Sequence, residues 1–246
     1  MIEDILIYVA VGFAAQMIDG ALGMAYGVSS TTFLLSTGVG PALASASVHM
    51  AEVFTTLVSG LAHLRFGNVD RTLFRKLVVP GVLGGVLGAY VLSELPGDTI
   101  KPYVAIYLML MGLRILWKAW RQQEKSAQGV RHILPLGLAG GFFDAIGGGG
   151  WGPIVTSTLV ANGHNPRTSV GSVNAAEFFV TFSQSVVFLV TIKLANWEII
   201  AGLIAGGVIA APLAALVCRR LSARKLMFFV GVLIVALSLR TLVLTF

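Results

Sequence analysis

The chain has 246 residues, of which 56% are hydrophobic and 11% charged, against about 45–50% and about 25% in soluble domains. No soluble fold of this size hides so much apolar side chain, so a soluble enzyme is excluded and the solvent is lipid. The net charge of +6 comes from Lys and Arg in short connections between apolar runs, a membrane topology signal and not a nucleic-acid surface. In chain order the apolar runs cover about 5–36, 42–64, 73–92 and 103–117, then 133–161, 167–192, 197–217 and 226–246. Most are long enough for a hydrocarbon core of about 30 Å. The clearly aqueous stretch is 118–131, with Arg121, Glu124 and Lys125. The start, Met1-Ile2-Glu3-Asp4, has no basic region, so the first apolar run is read as retained and not as a cleaved leader. Cys218 is the single cysteine, which rules out an intramolecular disulfide.

The two sets of runs are copies. A shift of 125 positions aligns 12–61 with 137–186 without a gap, pairing Asp19 with Asp144, Gly23 with Gly148, Gly27 with Gly152, Pro41 with Pro166, Ser47 with Ser172, Glu52 with Glu177 and Thr56 with Thr181. Shared apolar composition would match Leu and Val, but not Asp, Pro and Glu in register. The expected organisation is one membrane domain: a first repeat over 1–117, a cytoplasmic linker over 118–131 and a second repeat over 132–246.

The leading run of each repeat is too long for a simple span. At about 1.5 Å per residue, 5–36 would form a helix of about 48 Å. Its middle reads Asp19-Gly-Ala-Leu-Gly-Met-Ala-Tyr-Gly27, and the copy reads Asp144-Ala-Ile-Gly-Gly-Gly-Gly-Trp-Gly-Pro153. Each glycine costs a helix interior about 1 kcal/mol relative to Ala, so the spacing predicts a break with a half-helix on either side. The second half-helices are expected near residues 26–28 and 151–154, with Pro153 in a first turn where its missing N–H costs nothing.

Charge counting favours hairpins over crossings. If all eight runs cross, the 17 Lys and Arg residues divide 11 to 6; if both leading runs turn back, they divide 14 to 3, leaving Lys101, Lys193 and Arg240 outside. The expected fold is therefore an all-α integral membrane protein of two inverted repeats, each a glycine-broken re-entrant hairpin plus three transmembrane helices, multi-pass in the cytoplasmic membrane.

Broken helices at a repeat interface aim unpaired N–H groups and positive dipole ends at a midplane cavity, which favours an anion. The expected substrate-binding residues are Gly23, Tyr26, Gly27 and His49 in the first repeat, with Gly148, Gly149, Gly150, Trp151, Gly152 and Asn174 in the second. Isolated glycines such as Gly84, Gly85, Gly88, Gly206 and Gly207 read as packing positions. An ionised residue at a span centre costs about 2.5–3.5 kcal/mol on insertion scales, so Asp19, Glu52, Asp144 and Glu177 need a role. They brace the breaks or carry protons. His49 aligns with Asn174, each one helical turn before a Glu, among Ser45, Ser47, Thr55, Thr56, Ser172, Thr181 and Gln184.

Zinc-hydrolase, nucleophile-elbow and phosphate-loop motifs are absent from the sequence. The reading is a transporter that uses no cofactor and no metal, with a small anion, the bilayer and a coupling proton or ion as partners. The alternatives are a channel or permease for a cation or amino acid, with the buried carboxylates as ligands, and an intramembrane enzyme or accessory binding protein.

The segment Gly140-Gly-Phe-Phe-Asp-Ala-Ile-Gly-Gly-Gly-Gly-Trp-Gly-Pro-Ile-Val-Thr, followed by Asn165-Pro-Arg-Thr-Ser-Val-Gly-Ser-Val-Asn-Ala-Ala-Glu177, resembles the TauE/SafE family of sulfite exporters and related anion permeases. The first repeat, Gln16-Met-Ile-Asp-Gly-Ala-Leu-Gly-Met-Ala-Tyr-Gly27, keeps the spacing with fewer glycines. The resemblance implies secondary transport of sulfite, thiosulfate or an organosulfonate. With His49 standing where the other repeat has Asn174, the two half-sites are chemically unequal.

Overall fold

The computed structural model describes residues 2–22, 24–120, 132–192, 196–217 and 223–245. Those residues form ten α-helices and one π-helical turn. In the first half α1 (Ile2–Leu22) and α2 (Tyr26–Ser36) make up the leading segment, followed by α3 (Pro41–Arg65), α4 (Arg71–Glu94) and α5 (Gly97–Trp120). In the second, α6 (Ile133–Gly147) precedes the π turn Gly152–Thr156, which runs into α7 (Ser157–Ala161); α8 (Pro166–Thr191), α9 (Trp197–Val217) and α10 (Ala223–Thr245) complete the chain. Both leading segments are interrupted where the glycines stand.

Among the described residues five helices are long and apolar enough to cross a membrane: Pro41–Arg65, Arg71–Glu94, Gly97–Trp120, Arg167–Thr191 and Met227–Thr245. Their ends follow from local chemistry. Pro41 and Pro166 sit in the first turns of α3 and α8, where a missing N–H is harmless. Asp70 caps α4 by accepting from the Thr72 and Leu73 amides at 2.8 and 3.1 Å, and Asn165 caps α8 through the Arg167 amide at 2.9 Å. α5 starts at Gly97 and runs through Trp120, so Lys118 belongs to a helix and not to the aqueous linker expected over 118–131. The Lys118 ammonium turns inward and donates to the Ser157 hydroxyl at 3.3 Å. Linker residues 121–131 lie outside the described residues.

Large apolar side chains cover the outside: Val190 is 82% exposed and Phe229 70%. Serine, threonine, His49, Glu52 and Asp144 are buried inside among apolar side chains, as polar groups in a lipid solvent must be. Glycine sets the closest helix contacts. A Cβ on Gly206 of α9 would stand 2.0 Å from the Val9 carbonyl oxygen of α1, and one on Gly84 of α4 would stand 2.1 Å from the Leu138 carbonyl oxygen of α6. Backbones can approach so closely only where a side chain is absent.

The pairings run across the two halves. α1 packs along α9 and α6 packs along α4, so each leading helix leans on the second of the three helices that follow the leading segment of the other half; α3 faces α8, and α5 faces α10. Gly202 lies against Tyr8 and Gly206 against Val9 and Phe13, so α1 and α9 run in the same direction. Gly137 against Pro80 and Gly88 against Phe142 and Ala145 give α4 and α6 the same relation. Gly60 lies against Ala175 and Gly171 against Asn68, so α3 and α8 run oppositely.

Candidate functional site

The two breaks meet. A Cβ on Gly149 would lie 2.1 Å from the Val28 nitrogen and 2.2 Å from the Gly27 carbonyl carbon, so the backbones of the two tips touch with no side chain between them. Gly148 and Gly149 hold φ of +63° and +150°, values that other residues adopt only with strain. Thr31 of α2 ties the tips together by donating its hydroxyl to the Gly148 carbonyl at 2.5 Å. Tyr107 of α5 closes the far side: a Cβ on Gly147 or Gly150 would stand 2.0 or 2.1 Å from its ring or hydroxyl.

Each tip is held by the Asp of its own repeat. Asp144, 1% exposed, accepts the Gly150 and Trp151 amides on Oδ1 at 2.8 and 2.9 Å. Oδ2 faces His49 Nε2 at 3.2 Å and Gln184 Nε2 at 3.1 Å. Asp19 makes the equivalent contact in the first repeat, its Oδ1 accepting the Tyr26 amide at 3.4 Å. A carboxylate on first-turn amides satisfies donors that no helix can. The indole N–H of Trp151 reaches the Val173 carbonyl at 3.1 Å, and the Tyr26 hydroxyl reaches the Leu203 carbonyl at 3.1 Å. The paired aromatics therefore moor the two half-helices to α8 and α9.

Between the tips lies a small cavity with room for about 10 Å³ of water-sized sphere centres, lined by residues 25–28, by Gly149, Gly150, Gly152 and Pro153, and by Asp19, Glu52, Asp144 and Glu177. Among the described residues the Val28 and Gly152 amides, both on this cavity, have no backbone acceptor. Glu52 Oε2 is buried without a hydrogen-bond partner. Both His49 nitrogens are engaged, Nδ1 with the Ser45 carbonyl at 2.7 Å and Nε2 with Asp144.

Asn174 sits apart from the cavity lining, donating its amide to the Val170 carbonyl of its own helix at 3.1 Å. Gly23 lies outside the described residues. The sequence reading missed Thr31 and Tyr107. Thr31 was detectable, since it pairs with Thr156 in the repeat alignment, whereas nothing near Tyr107 marks it. The π turn also went unforeseen: Pro153 lacks the N–H that an α-helical turn would use, and a wider turn runs from Gly152 to Thr156. Among the described residues no cluster of three His, Cys, Asp or Glu side chains has the arrangement to hold a metal.

Residues 8–241 match the family described as sulfite exporter TauE/SafE. The chain is 43% identical over 251 residues to the probable membrane transporter protein YtnM of Bacillus subtilis (strain 168), covering 98% of this chain and 83% of that protein. It is 20% identical over 267 residues to the probable membrane transporter protein YunE of the same organism, covering 95% of each. No solved structure matches the chain. With the family matched over nearly its whole length and a transporter-named relative at that identity, the chain is a multi-pass membrane transporter and not an enzyme, and it belongs to the TauE/SafE family.

Proposed function

We propose that the protein is a secondary transporter for a small sulfur-containing anion of the sulfite, thiosulfate or organosulfonate class, bound between the two breaks and passed by alternating access. The observation that carries this reading is the pair of cavity-facing amides, Val28 and Gly152, in the first turns of two helices whose tips touch. Helix N-termini present N–H donors and a positive dipole end to the same small volume. The Asp144 carboxylate is turned into its own set of donors and is a brace for the break. Asp19 does the same more loosely. The chemistry of the class comes from the family description, sulfite exporter.

In this reading the repeats are inverted and the leading segments are re-entrant hairpins. Supporting it, α3 and α8, equivalent in the two halves, run in opposite directions. Ser157 and Thr158, beyond the second break, meet Lys118 and Arg114 near the end of α5, as a half-helix returning toward its entry side would. In a Cys218→Ser background, cysteines at positions 101 and 71 would then be labelled from outside and inside respectively. Equal labelling of both from one side refutes the hairpins.

The transport test is uptake into proteoliposomes of labelled sulfite, thiosulfate and methanesulfonate beside sodium, potassium and an amino-acid panel. Saturable uptake of at least one sulfur anion, without cation uptake, is expected. The second reading, a cation or amino-acid permease, draws on the four carboxylates around the cavity, and uptake confined to that panel would establish it instead.

A further inference from the structure

The hydrogen bonds around His49 fix a proton count. Nδ1 lies 2.7 Å from the Ser45 carbonyl oxygen, which only accepts, so Nδ1 carries a hydrogen. Nε2 lies 3.2 Å from Asp144 Oδ2, and two lone pairs do not face each other at that separation. One hydrogen therefore stands between them. Asp144 already receives the Gly150 and Trp151 amides and the Gln184 amide. The Gln184 orientation is set by a second bond from the same nitrogen to the Gly141 carbonyl at 3.2 Å. With three N–H donors on it, Asp144 is placed to accept a fourth, an arrangement that an imidazolium beside a carboxylate satisfies. Both are enclosed, His49 at 0% and Asp144 at 1% exposure, with the Phe188 ring of α8 covering the imidazole at 6.1 Å between centroids.

One further group reaches this pair. Glu52 Oε2 lies 3.9 Å from His49 Nε2, buried and without a hydrogen-bond partner, and Glu52 lines the central cavity. Asp19 and Glu177 line the same cavity. Glu52, His49 and Asp144 thus form one connected cluster at the cavity wall.

We infer that Glu52, His49 and Asp144 form a proton site, and that one proton moves in the same direction as the anion. The inference rests on the anion-transport reading above. A proton entering from the cavity leaves the Glu52 carboxyl, whose O–H bond breaks, and joins His49 Nε2, whose N–H bond forms; Glu52 regains its negative charge and the imidazole becomes cationic. Two consequences tie the proton to the anion. The bound proton cancels one of the negative charges around a cavity that must accept another, so each ligand raises the affinity for the other. Loss of the proton sets the Nε2 lone pair against Asp144 Oδ2, so the bond from α3 to the brace of the second break is lost, while the Ser45 hydroxyl still donates to the Ala145 carbonyl at 2.6 Å. Asn174 occupies the equivalent place in the other repeat, bonds within its own helix and does not titrate, so the transporter carries one such site and not two.

The test uses the full chain in proteoliposomes with the membrane potential clamped to zero by potassium and valinomycin. The probes are thiosulfate and methanesulfonate, anions whose charge is constant near neutral pH. Coupling to one proton accumulates the anion about tenfold per unit of pH difference, acid outside. His49→Asn, which copies Asn174, is expected to keep exchanging labelled for unlabelled anion at a lower rate while pH-driven accumulation disappears. Should His49→Asn fail to fold or exchange, Glu52→Gln replaces it, with the same loss of accumulation expected. Accumulation in either exchanging variant equal to that of the wild type overturns the site. Wild-type exchange without pH-driven accumulation overturns proton coupling but leaves anion transport standing. Absence of exchange with either probe sinks the transport reading and this inference with it.

Discussion

Gly149→Ala tests the contact between the breaks most directly. The new methyl would lie 2.1 Å from the Val28 nitrogen and 2.2 Å from the Gly27 carbonyl carbon, both backbone atoms that cannot swing aside. Overpacking of this kind costs about 1–3 kcal/mol. Residue 149 also holds φ of +150°, and an alanine there adds about 1–3 kcal/mol of backbone strain. The sum, about 2–6 kcal/mol, exceeds what a surface substitution costs and must be relieved by prising the tips apart. Gly38→Ala is the control: its φ of +98° carries strain, but nothing lies within 4 Å of the added methyl, so its cost is about 1–2 kcal/mol. Melting of the detergent-purified protein reads the difference, at about 2–4 °C per kcal/mol for a chain of this length. Gly149→Ala should melt well below Gly38→Ala and lose anion exchange, while Gly38→Ala keeps it. A Gly149→Ala protein that melts and exchanges like the wild type would mean that the tips do not touch.

Trp151→Phe removes the indole bond to the Val173 carbonyl, which keeps its donor within α8, at a cost of about 0.5–1.5 kcal/mol; the melting temperature should fall, and an unchanged value removes the mooring role. Gly84→Ala and Gly206→Ala each push a methyl to 2.1 and 2.0 Å from a carbonyl oxygen of the partner helix and should each cost about 1–3 kcal/mol. They lie at equivalent interfaces, α4 with α6 and α9 with α1, so a loss in only one variant would refute this shared pairing.

The breaks were legible because glycine runs, a proline and an Asp leave few conformations open, and duplication excluded chance. The spans were legible from length alone. Which helix packs on which was not. α9 is apolar on nearly every side, so no stripe in its sequence identifies the partner face, and its contact with α1 depends on the small residues Gly202 and Gly206 meeting Tyr8, Val9 and Phe13, and on Gly12 meeting Leu203. Side-chain orientation was equally hidden. His49 and Asn174 share an alignment column, yet one reaches across to Asp144 and the other turns back to Val170. The longer imidazole spans the gap to another helix, and the shorter amide finds its acceptor one turn away.

That inequality extends to the braces and can be measured. Asp144 receives four N–H donors between 2.8 and 3.2 Å and is almost wholly buried. Removing its carboxyl strands those donors at about 1–3 kcal/mol each before relaxation, and a net loss of about 3–5 kcal/mol is expected of Asp144→Ala, as for a broken buried pair. Asp19 is half-buried and accepts one long bond, at 3.4 Å, so Asp19→Ala should cost about 0.5–1.5 kcal/mol. Parallel melts of the two variants decide it, and equal losses would mean that the first break is braced as firmly as the second.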